Sequence, residues 1–133
     1  MMIKYTDDLA GITSKMLEGG FFAGWRKKVP PSEHFQILIN SHKVWLAIDE
    51  DAGIVVGFIN AISDGVLSAY MPLLEVLPNY QGTGIGGKLL QLMLGTLDGM
   101  YMIDLVCDPD KVAFYEKQGM FTWGSPMMKR NYQ

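Results

Sequence analysis

The spacing of apolar residues changes period several times along the chain, and each change marks a predicted element. After a short apolar-polar alternation in MIKYT, Leu9, Ile12 and Met16 recur at helical spacing within DDLAGITSKMLEGG, predicting a helix that stops at Gly19-Gly20. FFAGWRKKVPP follows as an irregular or weakly helical stretch. Ser32 then caps a predicted helix whose apolar stripe is Phe35, Leu38 and Ile39. Three β-rich runs come next, KVWLAID, IVVGFINAI and VLSAYMPLLEVL, joined through the turn signals EDAG and SDG, which predicts an antiparallel meander. A glycine-rich stretch opens a helix from about Ile85 to Leu97, with Ile85, Leu89, Leu92, Met93 and Leu97 on one face. A buried strand YMIDLVC, a helix DKVAFYEKQG and a last strand or pair of strands in FTWGSPMMKRN complete the pattern.

The size and balance of the chain narrow its class. With 133 residues, 49% hydrophobic and 19% charged, it predicts one folded domain over residues 1–133. The net charge of −3 with no basic stripe argues against a nucleic-acid partner. Cys107 is the single cysteine, so an internal disulfide and a Cys-x-x-Cys motif are both excluded. His34 and His42 lack an acidic companion at ligand spacing, so no metal site is expected. The N-terminal MMIKYTDDLAG has no apolar core of signal-peptide length and no run approaches the roughly 18 apolar residues of a membrane span, which makes the cytoplasm the expected compartment and a membrane an unexpected partner.

The chemistry concentrates in YQGTGIGGKLL, residues 80–90. Gly82, Gly84 and Gly87 satisfy the dinucleotide fingerprint, and Gly82, Gly87 and Lys88 satisfy most of a P-loop. The P-loop reading fails because Leu89 stands where a magnesium-binding hydroxyl belongs. In the dinucleotide fold the first glycine follows its strand directly, whereas here Leu77 to Gln81 intervene and a meander comes first. Asp104 and Asp108 stand about where a ribose-binding acid would, which keeps that fold as a remote alternative. The glycines do bare the backbone at a helix N-terminus, where unpaired N–H groups suit a pyrophosphate.

These residues resemble the GNAT superfamily of acyl-CoA-dependent N-acetyltransferases. The family motif Q/R-x-x-G-x-G/A matches Gln81, Gly84 and Gly86, with a lead-in at Leu74, Val76, Pro78 and Tyr80. A second element, F-Y-x-x-x-G-F/M, falls at Phe114, Tyr115, Gly119 and Met120. The resemblance covers about Ile54 to Met120. It implies an α/β GNAT fold, with a central mixed, mostly antiparallel sheet of about six or seven strands flanked by about four helices. The family's fourth and fifth strands form a splayed parallel pair, and Pro72 would mark a bulge at the splay.

The resemblance also implies acetyl-CoA as co-substrate and no metal. The backbone of Gln81, Gly82, Thr83, Gly84, Ile85, Gly86 and Gly87 would hold the pyrophosphate, with Lys88 as one candidate for the 3′-phosphate beside Lys111 and Lys117. Leu74, Glu75 and Val76 would run along the pantetheine arm, and Phe114, Tyr115 and Asp108 would lie against the cofactor. Many members carry asparagine where Asp108 stands, and aspartate accepts but does not donate.

For the chemistry, the Leu74 N–H is the candidate oxyanion donor, and Tyr115 is the candidate acid for the departing thiolate. The alternative for Tyr115 is a packed aromatic beside Phe114. Some members place an acid or a histidine as the general base where Tyr70 stands. Strand alternation puts Tyr70 on one face with Pro72 and Leu74, to line the pocket or order a water, and turns Glu75 to the other face in a structural role. Trp25 and Phe22 are candidates to wall the acceptor pocket, with core packing the stronger reading for Phe22. The expected activity is acetyl transfer to a primary amine, either a small arylalkylamine-like molecule or a protein lysine or N-terminus. The alternative is a non-catalytic acyl-CoA-binding module. Expected partners are that amine acceptor and a second copy of the chain in a homodimer.

Overall fold

A computed structural model describes residues 2–131. The runs with the clearest two-residue or buried pattern become the long central strands: β1 (Ile3–Thr6), β2 (Lys43–Asp49) and β3 (Ile54–Ser63), paired antiparallel in that order. A bulge interrupts the β2–β3 ladder, where Val55 faces Ile48 and Gly57 faces Ala47, leaving Val56 without a partner. Val55 and Phe58 therefore join one core, and Val56 and Ile59 join the other. β3 is buried on both faces, as expected of a strand with helices or loops on each side.

The run VLSAYMPLLEVL divides at Pro72 into β4 (Ser68–Tyr70) and β5 (Leu74–Val76). Both pair antiparallel with β3, β4 at its C-terminal end and β5 at its middle. Ile62 faces Tyr70 and Ile59 faces Leu74, so four steps on one strand oppose three on the other. The extra residue at Met71-Pro72 is a bulge, and it reverses the side-chain phase beyond it. Tyr70 consequently shares a face with Glu75, opposite Phe58, and not with Leu74. This corrects the simple alternation read from the sequence.

The strand β6 (Met102–Asp104) runs parallel to β4, and its last bond is Met71 N–H to Asp104 O at 3.0 Å. Beyond it β5 continues along β3 while residues 105–107 leave the sheet, so the two chains part. The sequence expectation of a full buried strand YMIDLVC is thereby corrected, because a strand persists only while its partner stays alongside.

Helix α1 (Pro31–Asn40) begins at Pro31, with Pro30 as cap in place of Ser32. The fixed proline φ starts the helix without a side-chain cap. Leu38 is buried, Ile39 is exposed, and His34 takes the buried position on that stripe. The predicted first helix reduces to a 3₁₀ turn at Ser14–Leu17. The Thr6 and Asp8 side chains bond the N–H groups of Asp8 and Ala10, and Gly11 sits at φ +80°, which diverts the chain from a regular helix. That turn, the 19–25 loop and α1 cover one face of the sheet over Leu17, Phe22, Leu46 and Phe58.

Helix α2 (Ile85–Thr96) covers the other face with Ile85, Leu89, Leu90 and Met93, and Leu97 is buried at its end, while Leu92 is only half-buried. A Cβ on Gly57 would meet Leu89 Cδ1 at 3.1 Å and Ile85 Cγ2 at 3.2 Å, so the glycine lets α2 lie close on β3. Trp45 Nε1 donates to Thr96 Oγ1 at 2.8 Å and pins the far end. After a 3₁₀ turn at Pro109–Lys111, α3 (Val112–Glu116) is short. The predicted last strands do not form among the described residues. Residues 120–131 contain no strand, and Phe121, Trp123 and Met127 are at least 80% exposed.

Candidate active site

Where β5 and the chain after β6 part, a cleft of about 710 Å³ opens. It brings together Trp25, Tyr70, Leu74, Glu75, Asp108 and Tyr115, six of the residues singled out in the sequence. Three groups from the C-terminal segment, Pro126, Met128 and Arg130, also line it, and no periodicity in the sequence had placed them there.

The β5 ladder fixes which backbone groups face the opening. Leu77 N–H donates to Val56 O at 2.8 Å, and Asn60 N–H donates to Leu73 O at 3.2 Å. Antiparallel bonding alternates residue by residue, so residues 73, 75 and 77 turn to β3, and Leu74 and Val76 turn their N–H and C=O groups away toward the parted side. The Val76 carbonyl is taken there by Gln81 Nε2 at 2.9 Å. The chain between the bulge and β5 is tied to β3 by a side chain that sequence reasoning missed. Asn60, buried within β3, accepts from Leu73 N–H at 3.1 Å and donates to Ser41 Oγ at 3.0 Å.

The glycine stretch lies past the end of β5 and does not line the cleft. Gly82 and Gly84 sit at φ +78° and +90°, and Gly84 is the N-cap of α2. Such backbone favours glycine because a Cβ would strain it. Thr83 Oγ1 donates to Tyr80 O at 2.7 Å, and the Tyr80 hydroxyl donates to Asp49 Oδ2 at 2.6 Å, tying the loop to β2. The first bond of α2 is Lys88 N–H to Gly84 O, so the N–H groups of Ile85, Gly86 and Gly87 stand ahead of its ladder. Lys88 is exposed on that first turn. Phe114 lies beside Gly86, its Cζ 3.6 Å from where a Cβ would stand and next to Val76, and its ring meets Tyr115 edge-on at 5.0 Å.

Burial raises the Tyr115 hydroxyl above an ordinary tyrosine, and the neighbouring Cys107 adds to the effect. The Cys107 thiol is itself raised by burial and then by Asp108 and Asp110. Both groups therefore hold their protons at neutral pH. Phe22 lies buried next to the cleft, with its ring 5.1 Å from Trp25 and 5.0 Å from His34. Glu75 accepts from Phe22 N–H at 3.1 Å through Oε1. Among the described residues no group of three acidic, histidine or cysteine side chains is placed to hold a metal ion, and no helix is long and apolar enough to cross a membrane.

Comparison with known proteins places this architecture. The family model for the acetyltransferase (GNAT) domain matches residues 40–119. A crystal structure of a proposed acetyltransferase from Deinococcus radiodurans R1 is 39% identical, with a TM-score of 0.89, covering 96% of this chain and 88% of that one. A GNAT-family protein of Streptococcus pneumoniae TIGR4 is 28% identical, with a TM-score of 0.73 over 98% of each chain. Glucosamine-6-phosphate N-acetyltransferase of Arabidopsis thaliana shares the fold at 16% identity, with a TM-score of 0.74 over 98% of this chain and 99% of that one. An uncharacterized ycf52-like N-acetyltransferase of Prochlorococcus marinus is 33% identical over 67 residues, which span 49% of this chain and only 37% of that relative. The parted strands, the glycine turn before α2 and the family match together place the chain in the GNAT superfamily of acetyltransferases.

Proposed function

We propose that the protein transfers the acetyl group of acetyl-CoA directly to a primary amine. The observation that carries this reading is the cleft between the parted strands, with the outward-turned backbone of Leu74 on one wall and Tyr115 on another. In this reading the Ile85, Gly86 and Gly87 amides hold the pyrophosphate at the positive end of α2. The Leu74 and Val76 backbone pairs with the pantetheine arm, and Phe114 supports it from the far side. The Leu74 N–H then donates to the oxyanion as the amine nitrogen attacks the acetyl carbon.

When the C–S bond breaks, the electron pair stays on sulfur, and the Tyr115 hydroxyl supplies its proton. A tyrosine held protonated and a thiolate that accepts near pH 8.5 are suitably matched for that transfer. Asp108 reaches the same cleft as an acceptor only, so in this reading it bonds amide N–H groups of the arm. Trp25 and Tyr70 wall the acceptor side. The reading includes a cytoplasmic setting and a homodimer, for which the exposed Phe121, Trp123 and Met127 are the supporting surface.

Thermal unfolding with added ligand tests the cofactor assignment. Acetyl-CoA raises the midpoint in proportion to the logarithm of its concentration, while NAD and ATP leave it in place. Stabilisation by NAD alone overturns the assignment.

A further inference from the structure

The two faces of the sheet are covered unequally. On the face toward α2, Ala61, Ala69 and Ile103 pack into the core with Leu90 and Met93. On the other face, the 19–25 loop and α1 reach only as far as Phe58 and Asn60, which are buried. Ile62 is the next position of β3 on that face, and it is 56% exposed.

The ladder extends this bare strip sideways. Ile62 faces Tyr70 on β4, and Ser68 and Tyr70 stand beside Met102 and Asp104 on β6, so all five share one face. Tyr70 is 39% exposed and Met102 42%. Side chains directly opposite on neighbouring strands lie about 5 Å apart, so Ile62 and Tyr70 touch and Met102 continues the strip. A contiguous apolar surface of this kind marks a binding face, where scattered exposed residues would not. The strip meets the cleft at Tyr70, which belongs to both.

Charge narrows what can lie there. The one acidic or basic side chain among the five is Asp104, and Glu75 stands on the same face at the cleft end. Within the cleft Glu75 and Asp108 are balanced by Lys111 and Arg130, and Arg26 adjoins Trp25 at its edge. A carboxylate or phosphate carried out over the strip would therefore meet Asp104 as a like charge. A second copy seated on the strip about a two-fold axis would bury Asp104 of both copies in an apolar seam with no base on that face to pair them, which is costly. An apolar body whose charge is positive suits the face.

We propose that the acceptor is a primary amine with an extended apolar body, an alkyl- or arylalkylamine, whose nitrogen enters the cleft between Trp25 and Tyr70 while its body lies over Tyr70, Ile62 and Met102. This inference rests on the transferase reading and narrows its acceptor, because a short polar amine leaves the strip uncovered. The bonds made and broken are those of the transfer described above. The strip adds binding to a part of the acceptor that does not react, so its effect falls on KM more than on kcat.

The test measures coenzyme A release with n-alkylamines from ethylamine to octylamine, with phenylalkylamines, and with glucosamine and glycine as short polar amines. Wild type is compared with the double variant Ile62→Ser, Met102→Ser, changed at two exposed positions outside the cleft lining. The expected result is a kcat/KM that rises about two- to fourfold per added methylene, chiefly through KM. In the double variant the ratio of octylamine to ethylamine kcat/KM falls about tenfold, while acetyl-CoA-induced stabilisation and sedimentation match wild type. A flat response to chain length, or a preference for glucosamine or glycine, overturns the inference alone. A wild-type dimer that the double variant dissociates also overturns it, since the strip is then a contact between copies. Absence of coenzyme A release by wild type with every amine, lysine peptides included, overturns the transferase reading, and this inference with it.

Discussion

Asn60 Oδ1 stands in for a strand carbonyl by accepting from Leu73 N–H at 3.1 Å, one residue after the bulge at Pro72. A backbone bulge leaves ladder groups unpaired, and the buried amide satisfies one of them while Nδ2 anchors to Ser41 at the end of α1. The face to which Tyr70 turns and the register of Leu74 both follow from the bulge at this junction.

Asn60→Ala is therefore expected to cost about 1–3 kcal/mol, since it orphans the Leu73 N–H in a buried setting. Urea denaturation measures the loss. Weaker acetyl-CoA binding accompanies it, and an unchanged midpoint shows that the bulge is held by other contacts.

Gly84→Ala tests the loop without crowding it, because no atom lies within 4 Å of the added Cβ and only the φ of +90° resists it. That strain, about 1–2 kcal/mol, falls on the backbone proposed to hold pyrophosphate. Calorimetric titration is expected to show acetyl-CoA binding weakened about tenfold or more, with the fold retained.

Tyr115→Phe removes the hydroxyl and keeps the ring against Phe114. The expected outcome is near-normal acetyl-CoA affinity and turnover lowered about 10²-fold. Equal turnover leaves Tyr115 as a packed aromatic.

His34 makes stability depend on pH. Its folded value of about 4 lies below the ordinary 6.5, so between these values the unfolded chain binds a proton that the folded chain refuses. Stability is thus fully present above about pH 6.5, falls as pH drops toward 4 and then levels, by up to about 3 kcal/mol in all. His34→Leu is expected to flatten that part of the curve, measured by denaturation at pH 7 and pH 4.5.

Much of this architecture was legible in the sequence because it rests on periodicity. KVWLAID is β2 residue for residue, and the α2 stripe is buried as spaced, with Leu90 in place of Leu92. What escaped reading depends on single side chains overriding a pattern. Gly11 and the Asp8 cap turn a helical spacing into a 3₁₀ turn, and an extra residue at Met71-Pro72 reverses the phase that would have paired Tyr70 with Leu74. The proline marked the bulge, but its effect on the facing of Glu75 required the register. Asn60, inside an apolar run, gave its one signal as a buried polar residue in the central strand. The C-terminal FTWGSPMMKRN has strand-like composition but finds no strand partner among the described residues, and it reaches the cleft through Met128 and Arg130.

The central claim is acetyl transfer to an amine nitrogen, and the most direct measurement is thiol release from acetyl-CoA by the wild-type protein with a panel of primary alkyl- and arylalkylamines and lysine peptides. The account predicts stoichiometric coenzyme A and N-acetylated product with at least one amine, abolished by omitting either substrate. Acetyl-CoA that binds and stabilises the protein yet yields no thiol with any amine contradicts it and makes the chain a binding module.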